Sequence, residues 1–294
     1  MPRERLFGYA FILPATLFIC LFIYWPVVYT FYTSLHEASL VRPEVGEAVG
    51  AANYRALRAD PAFAQAARNT ALFTVLVVPG QTVLALLLAV WANGPGLRKR
   101  VLRLVVFIPT GISLVVLSVL WDLLYAPPTA TGSGLINGLL GAAGLPTQPF
   151  LTSPAQALPA IAAMSVWQGT GLQMLIFLAS LQQIDPQLYE QSMVDGAGPV
   201  QRFRHVTLPL ILPTALFVVM ITTIFALKLF AQPFIMTQGG PRGTTRSMVQ
   251  YIYEAAFRQL DLGLACAAGT VFFVAVMAIA MALRWMTSRV EVRA

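Results

Sequence analysis

The chain has 294 residues, 57% of them hydrophobic and only 11% charged, with a mean hydropathy of +0.72. Soluble domains carry about 25% charged residues, so a water-soluble globular fold is excluded and an all-α integral membrane protein is expected. The net charge of +7 would suit a nucleic-acid surface, but no basic face with interleaved aromatics occurs, and the charge falls where membrane topology needs it.

A membrane-crossing helix needs about 20 apolar residues, and six windows qualify: 6–32, 69–92, 102–125, 155–181, 209–231 and 263–285. The first follows Arg3 and Arg5 as a signal sequence would. It is too long for one and has no small-residue cleavage site before Tyr32, so it is expected to stay as a membrane helix. Residues 53–60, with Tyr54 and Leu57 on one face, predict a short surface helix ending before Pro61. The third window carries Asp122 near its end, within reach of the interface. The connection 127–154 is rich in Pro, Gly and Thr, with a short apolar stretch at 135–140.

The fourth window is punctuated by Ser165, Gln168 and Gln173 around Gly169 and Gly171. These serve either interhelical hydrogen bonds and close packing or a hydrophilic passage. Lys228, placed inside the fifth window, either lines a polar cavity or makes a structural contact. Gly239, Gly240 and Pro241 break the chain after it. Cys20 and Cys266 both fall in apolar windows and read as small buried hydrophobes.

The polar segment 182–208 interrupts this pattern. Asp185 can cap a helix whose first residue is Pro186, where a missing N–H costs nothing. Gly196 can end it in a left-handed conformation, and Pro199 can open a second short helix over 200–207. Isolated helices of about 9 residues are marginal, so this elbow must dock against something.

Orientation follows from the cations. Arg3, Arg5, Arg98, Lys99, Arg100, Arg103, Arg202, Arg204, Arg284, Arg289 and Arg293 lie on one side. Only Arg42, Arg55, Arg58, Arg68, Arg242, Arg246 and Arg258 lie on the other. Both termini and the elbow are therefore expected in the cytoplasm. The chain has no GxxxxGK[ST] loop, its only lysines are Lys99 and Lys228, and its two histidines, His36 and His205, fall on opposite sides. Nucleotide binding, a metal site and enzymatic activity within this chain are not expected.

The elbow YEQSMVDGAGPVQRFRHVTLPLILP resembles the cytoplasmic Glu-Ala-Ala loop of permease subunits from ATP-binding-cassette importers. Glu190, Gly196 and the run Val206-Thr207-Leu208-Pro209 match that pattern, while Gln191 and Ser192 replace its alanines. NYRALRADPAFAQAARNTALFTV, SVWQGTGLQMLIFLASLQQIDPQLYE, TQGGP and YIYEAAFRQLDLGLACA extend the likeness to nearly the whole chain. They resemble the first permease of carbohydrate importers, the group holding maltose, multiple-sugar and glycerol-3-phosphate systems.

The resemblance implies a type I importer permease: one domain over 1–294, six spans, multi-pass in a bacterial or archaeal inner membrane. It implies a second permease, two ATPase subunits that bind ATP and Mg, and an external solute-binding protein. The solute would be a sugar or sugar-like molecule, glycerol 3-phosphate included. Within the elbow, Glu190 would meet a basic ATPase residue, a pairing worth only about 0–1 kcal/mol at a surface. Leu188, Tyr189 and Met193 would add apolar contact, with Gln191 and Ser192 between them, and Asp195, Gly196 and Ala197 would set the bend. Ser165, Gly169, Leu172, Thr222, Phe225 and Ala226 fall at the sugar-binding positions of the maltose permease. Gly169 and Phe225 match and Thr222 is a conservative change, whereas Ser165 and Ala226 replace asparagines and Leu172 an aromatic, so a ligand held differently from maltose is expected. Gln168, Gln173 and Lys228 complete the expected pathway. A secondary transporter or a non-transporting scaffold is the alternative.

Overall fold

The computed structural model describes residues 2–42, 45–129 and 132–291, with backbone alone for residues 2–10 and 288–291. The side chains of Arg3, Arg5, Arg289 and Arg293, which enter the charge asymmetry, lie outside the described residues. Among the described residues there is no strand, only isolated bridges. In chain order the helices are α1 (Pro2–Ile19), α2 (Trp25–Thr33), α3 (Ala52–Ala59), α4 (Pro61–Ala92), α5 (Leu97–Phe107), α6 (Leu114–Tyr125), α7 (Leu135–Ala142) and α8 (Ala157–Gln182). They continue with α9 (Pro186–Val194), α10 (Pro199–Arg202), α11 (Leu208–Leu227), α12 (Ala231–Met236), α13 (Met248–Tyr253) and α14 (Leu262–Glu291).

Phe11–Thr33, Pro61–Ala92, Ala157–Gln182, Pro199–Met236 and Leu262–Thr287 are each long and apolar enough to cross a membrane. Leu97–Gly111 with Leu114–Tyr125 makes a sixth candidate, bent by 102°. The chain is thus a multi-pass membrane protein. The bend falls inside the expected third span, 102–125. At Ile108–Gly111 the helix tightens to a 3₁₀ turn, and Ile112 turns extended with ψ of 141°. Pro109 lacks an N–H and Gly111 has no side chain to hold the helical backbone, so the ladder stops there.

Two further prolines act more gently. Ending two residues before Pro26 and two before Pro209 the chain runs as a π-turn, Cys20–Tyr24 and Phe203–Thr207, closed by Trp25 N–H to Cys20 O and Leu208 N–H to Phe203 O. Widening the turn relieves the clash between the proline ring and the carbonyl four residues back. The second elbow helix therefore differs from the expected 200–207: α10 ends at Arg202 and passes through the π-turn straight into α11. Helix α11 stops at Leu227, and Lys228 is its C-cap with φ −81° and ψ 19°, a helix break that falls inside the apolar span Pro199–Met236.

The chain divides into two compact units, one of Met1–Ala64 and Val249–Ala275, the other of Gln65–Met248 and Val276–Ala294. In the first, α3 is pinned by its own side chains: Asn53 Nδ2 donates to the carbonyls of Ser34 and His36 at 2.9 and 3.0 Å, and Tyr54 Oη meets Ser34 Oγ at 2.6 Å. Tyr251 Oη donates to Asp60 Oδ2 at 2.6 Å. Of the window Phe11–Thr33 only Thr33, at its end, is buried within the chain. Cys20 is accordingly exposed and Cys266 half-buried, against the expectation that both are buried.

In the second unit α8 is the buried centre. Ile161, Met164, Met174 and Phe177 have no exposure. Apolar burial gives little drive between helices in lipid, so close approach of small residues must hold them. Ala85, Ala89 and Ala92 form such a stripe on α4, all fully buried with Met174, Phe177 and Leu181. Tyr125 Oη donates to the Ala160 carbonyl at 3.1 Å, fixing the end of α6 to α8. The long connection is ordered by Asn137, which bonds Ala126 O, Gln148 O and Gln148 N at 3.1, 3.0 and 2.8 Å. All residues of the elbow and of the expected pathway belong to this unit.

Candidate functional site

The elbow is built from local chemistry. Asp185 Oδ1 accepts the Gln187 N–H at 2.9 Å and Pro186 takes the first helical position. At the other end Ala197 N–H donates to Ser192 O at 2.9 Å and Gly196 N–H to Met193 O at 3.0 Å, with Gly196 at φ +78°. These are the two bonds of a Schellman cap, which needs a left-handed residue at that place. Gln201 Oε1 then accepts the Gly198 N–H at 2.9 Å and starts α10. Tyr189 Oη lies 3.0 Å from Thr207 Oγ1, bracing α9 against the root of α11.

Leu188, Met193, Val194 and Val200 stand exposed on this elbow, Val194 by 88% and Val200 by 79%, beside the exposed Glu190 and Gln191. Tyr189 and Ser192 are half-buried because each bonds back into the elbow. The valines were not expected as contact residues, although they flank the Gly196 bend. Replacing Tyr189 by Phe removes one part-buried hydrogen bond worth about 1 kcal/mol. Amide exchange across α9 is then expected to quicken by about 5-fold, and an unchanged rate would show that the brace carries no load.

A cavity of about 470 Å³ opens in the same unit, between α4, the turn after α5, α8, α11 and α12. Ser165, Gln168, Gly169, Leu172, Gln173, Thr222, Phe225, Ala226 and Lys228 all line it. Lys228, expected either to line a polar cavity or to make a structural contact, lies on the wall of this cavity, whose lining is mostly apolar. Sequence reading missed Gln81, Thr110 and Gln232, which also reach the wall.

Its polar lining is partly spent on holding the helices. Thr110 Oγ1 donates to the Gln168 carbonyl at 3.0 Å, tying the broken span to α8. Ser165 Oγ donates to Ile161 O at 2.9 Å and accepts from Gln232 Nε2 at 3.4 Å. Gln173 Nε2 donates to Thr222 Oγ1, which itself donates to Val218 O at 2.6 Å. The other end of the same amide, Gln173 Oε1, is buried with no protein partner among the described residues. A buried acceptor left empty costs about 1–3 kcal/mol, so this oxygen calls for a donor from a ligand or water.

The glycines set the wall spacing. A methyl group at Gly171 would overlap the Val106 carbonyl oxygen and lie 2.7 Å from Thr110 Oγ1 and 2.8 Å from Phe107 Cα. One at Gly169 would first strike the amide end of Gln81. Gly171 thus admits the backbone of the broken span, while Gly169 admits a polar side chain to the cavity. No cluster of three or more possible metal ligands occurs among the described residues.

Comparison with known proteins places this architecture. A family described as binding-protein-dependent transport system inner membrane component matches residues 81–292. The chain is 33% identical over 283 residues to the probable ABC transporter permease protein YurN of Bacillus subtilis (strain 168), covering 95% of each chain. It is 34% identical over 272 residues to the sulfoquinovosyl glycerol transport system permease protein SmoG of Agrobacterium fabrum, covering 92% of this chain and 86% of the relative. Among solved structures it superposes with a TM-score of 0.84 and 24% identity on a chain of a bacterial alginate ABC transporter in complex with an alginate pentasaccharide-bound periplasmic protein, covering 98% of this chain and 96% of that one.

Proposed function

Since the chain belongs to the family of binding-protein-dependent transport system inner membrane components, the permeases of ABC importers, we propose that it forms half of a sugar-conducting pathway driven by separate ATPase subunits through the elbow 182–208. The observation that carries this reading is connectivity. The elbow is the link between α8 and α11, and those two helices supply Ser165, Gln168, Gln173 and Thr222 to the cavity.

Motion at one place is then motion at the other. From Leu208 to Thr222 the helix rises about 21 Å, so a tilt of about 10° at its root shifts the cavity wall by roughly 4 Å. The elbow is short, exposed and apolar at Leu188, Met193, Val194 and Val200, as a surface awaiting a partner is. ATP and Mg are held by the ATPase pair, whose closure pulls the elbow, and this chain contributes no nucleotide chemistry. A second permease closes the pathway from the other side, and an external binding protein delivers the solute. The charge asymmetry supports an orientation with both termini and the elbow in the cytoplasm of a bacterial or archaeal cell, the chain lying in its inner membrane.

The names of the relative and the solved neighbour support a carbohydrate class, one being a sulfoquinovosyl glycerol system and the other an alginate transporter. The wall suits it, with four amide side chains and several hydroxyls set among apolar residues. Reconstitution with the second permease, the ATPase pair and the binding protein in sealed vesicles tests the proposal. Accumulation of labelled sugar is expected only with ATP and the ATPase pair present. Accumulation on a proton gradient without the ATPase would replace it with secondary transport.

A further inference from the structure

We propose that the solute carries an anionic group, a carboxylate, sulfonate or phosphate on a sugar frame, and that Lys228 is its partner. This rests on the carbohydrate reading above. Of the described residues that line the cavity, Lys228 alone is ionisable. Its backbone is clamped, since Leu227 and Leu229 on either side are 7% and 2% exposed, yet the lysine itself is exposed.

A lysine just past a helix end can be spent on the last carbonyls of that helix. This one is not: among the described residues its ammonium has no hydrogen bond to a carbonyl and no carboxylate within ion-pair distance. It lines a largely apolar cavity while staying exposed, with no protein counter-charge among the described residues. Such a group favours an anion, because hydrogen bonds to charged partners are about twice as strong as neutral ones.

The second polar demand lies elsewhere in the cavity. Gln173 Oε1, buried and unpartnered beside Thr222, needs a donor. Thr222 and Lys228 are separated by about 9 Å along α11. A hydroxyl on a sugar ring can serve Gln173 while an anionic substituent reaches Lys228. The exposed ring of Phe225, at 68%, lies between them on the cavity wall. The cation sits toward the α12 end and the neutral acceptor toward the elbow, so the ligand is held with its charge away from the elbow.

The test uses the whole importer, with its second permease and ATPase pair, and matched probes: glucose and glucuronate, galactose and galacturonate, glycerol and glycerol 3-phosphate. Dissociation constants are read from ligand-induced shifts in thermal stability. Wild type is expected to bind the acidic member of at least one sugar pair about 10-fold or more tightly than its neutral partner. Lys228→Gln should erase that preference and Lys228→Arg should keep it. Carboxylate and phosphate probes separate the two anion classes. Equal binding of acidic and neutral sugars, or a preference that survives in Lys228→Gln, overturns the anion assignment and leaves the carbohydrate reading standing. Binding of glycerol 3-phosphate with no response to any sugar would remove the sugar frame instead. A Lys228→Gln chain that no longer assembles with the second permease would make the lysine a counter-ion of that subunit, which also overturns the assignment.

Discussion

Replacing Gly196 by Ala is expected to cut solute uptake by about 10-fold while ATP hydrolysis continues. Gly196 holds φ +78° and closes the Schellman cap of α9. An L-residue in that conformation costs about 1–2 kcal/mol, and a tenfold change in an equilibrium is about 1.4 kcal/mol. Nothing lies within 4 Å of an added Cβ, so the variant changes backbone preference without a clash. Asn tolerates the left-handed region, and Gly196→Asn should recover most of the loss. Glu190→Ala should do less, since exposed ion pairs are worth little; a loss below about 5-fold fits a docking dominated by apolar shape. Uptake per ATP hydrolysed is the quantity to measure. An unchanged ratio in Gly196→Ala would mean that the bend does not transmit force.

The second large effect is expected at Gly171. Gly171→Ala forces a methyl into the Val106 carbonyl and within 2.8 Å of Phe107 Cα. Backbone cannot yield as a side chain can, and overpacking of this kind costs about 1–3 kcal/mol. The melting midpoint of the purified complex should fall by about 2–12 °C, at roughly 2–4 °C per kcal/mol for a chain of this size. Gly169→Ala is the matched control. Its methyl meets the amide of Gln81, a flexible end that can swing aside, so stability should hold while the cavity lining changes. Equal losses in both would show that the wall spacing is not set by Gly171.

The elbow was legible in the sequence because its signals are local. Asp185, Pro186, Gly196 and Pro199 each act on their own residue or the next turn, so reading them needs no knowledge of the fold. The bend of the third span was not legible, because a hydropathy window averages across Ile108–Gly111. Proline alone would not have revealed it: Pro14, Pro79 and Pro213 all lie inside continuous helices. The distinguishing feature is Gly111 two residues after Pro109, where neither residue supports the ladder.

The cavity was half legible. Polar residues of the fourth span stood out, but the same test applied to Gln81 in the second span would have found the partner of Gly169. Lys228 does lie inside an apolar span, but the end of α11 at Leu227 was not legible, because apolarity does not report where hydrogen bonding ends. Val194 and Val200 passed unnoticed in a segment read for its polarity, although exposed apolar side chains on a marginal helix are what a docking partner would cover.

The central claim is that ATPase subunits dock on the elbow, and cross-linking tests it most directly. In a chain with Cys20 and Cys266 replaced by Ala, a single cysteine is placed at Val194, which is 88% exposed on the elbow, or at Leu145, which is 54% exposed in the connection between α7 and α8. A short bifunctional maleimide is then added to the assembled complex. The account predicts a cross-link from Val194→Cys to an ATPase subunit and none from Leu145→Cys. Cross-linking to the ATPase from Leu145→Cys, with none from Val194→Cys, would contradict both the orientation and the docking site.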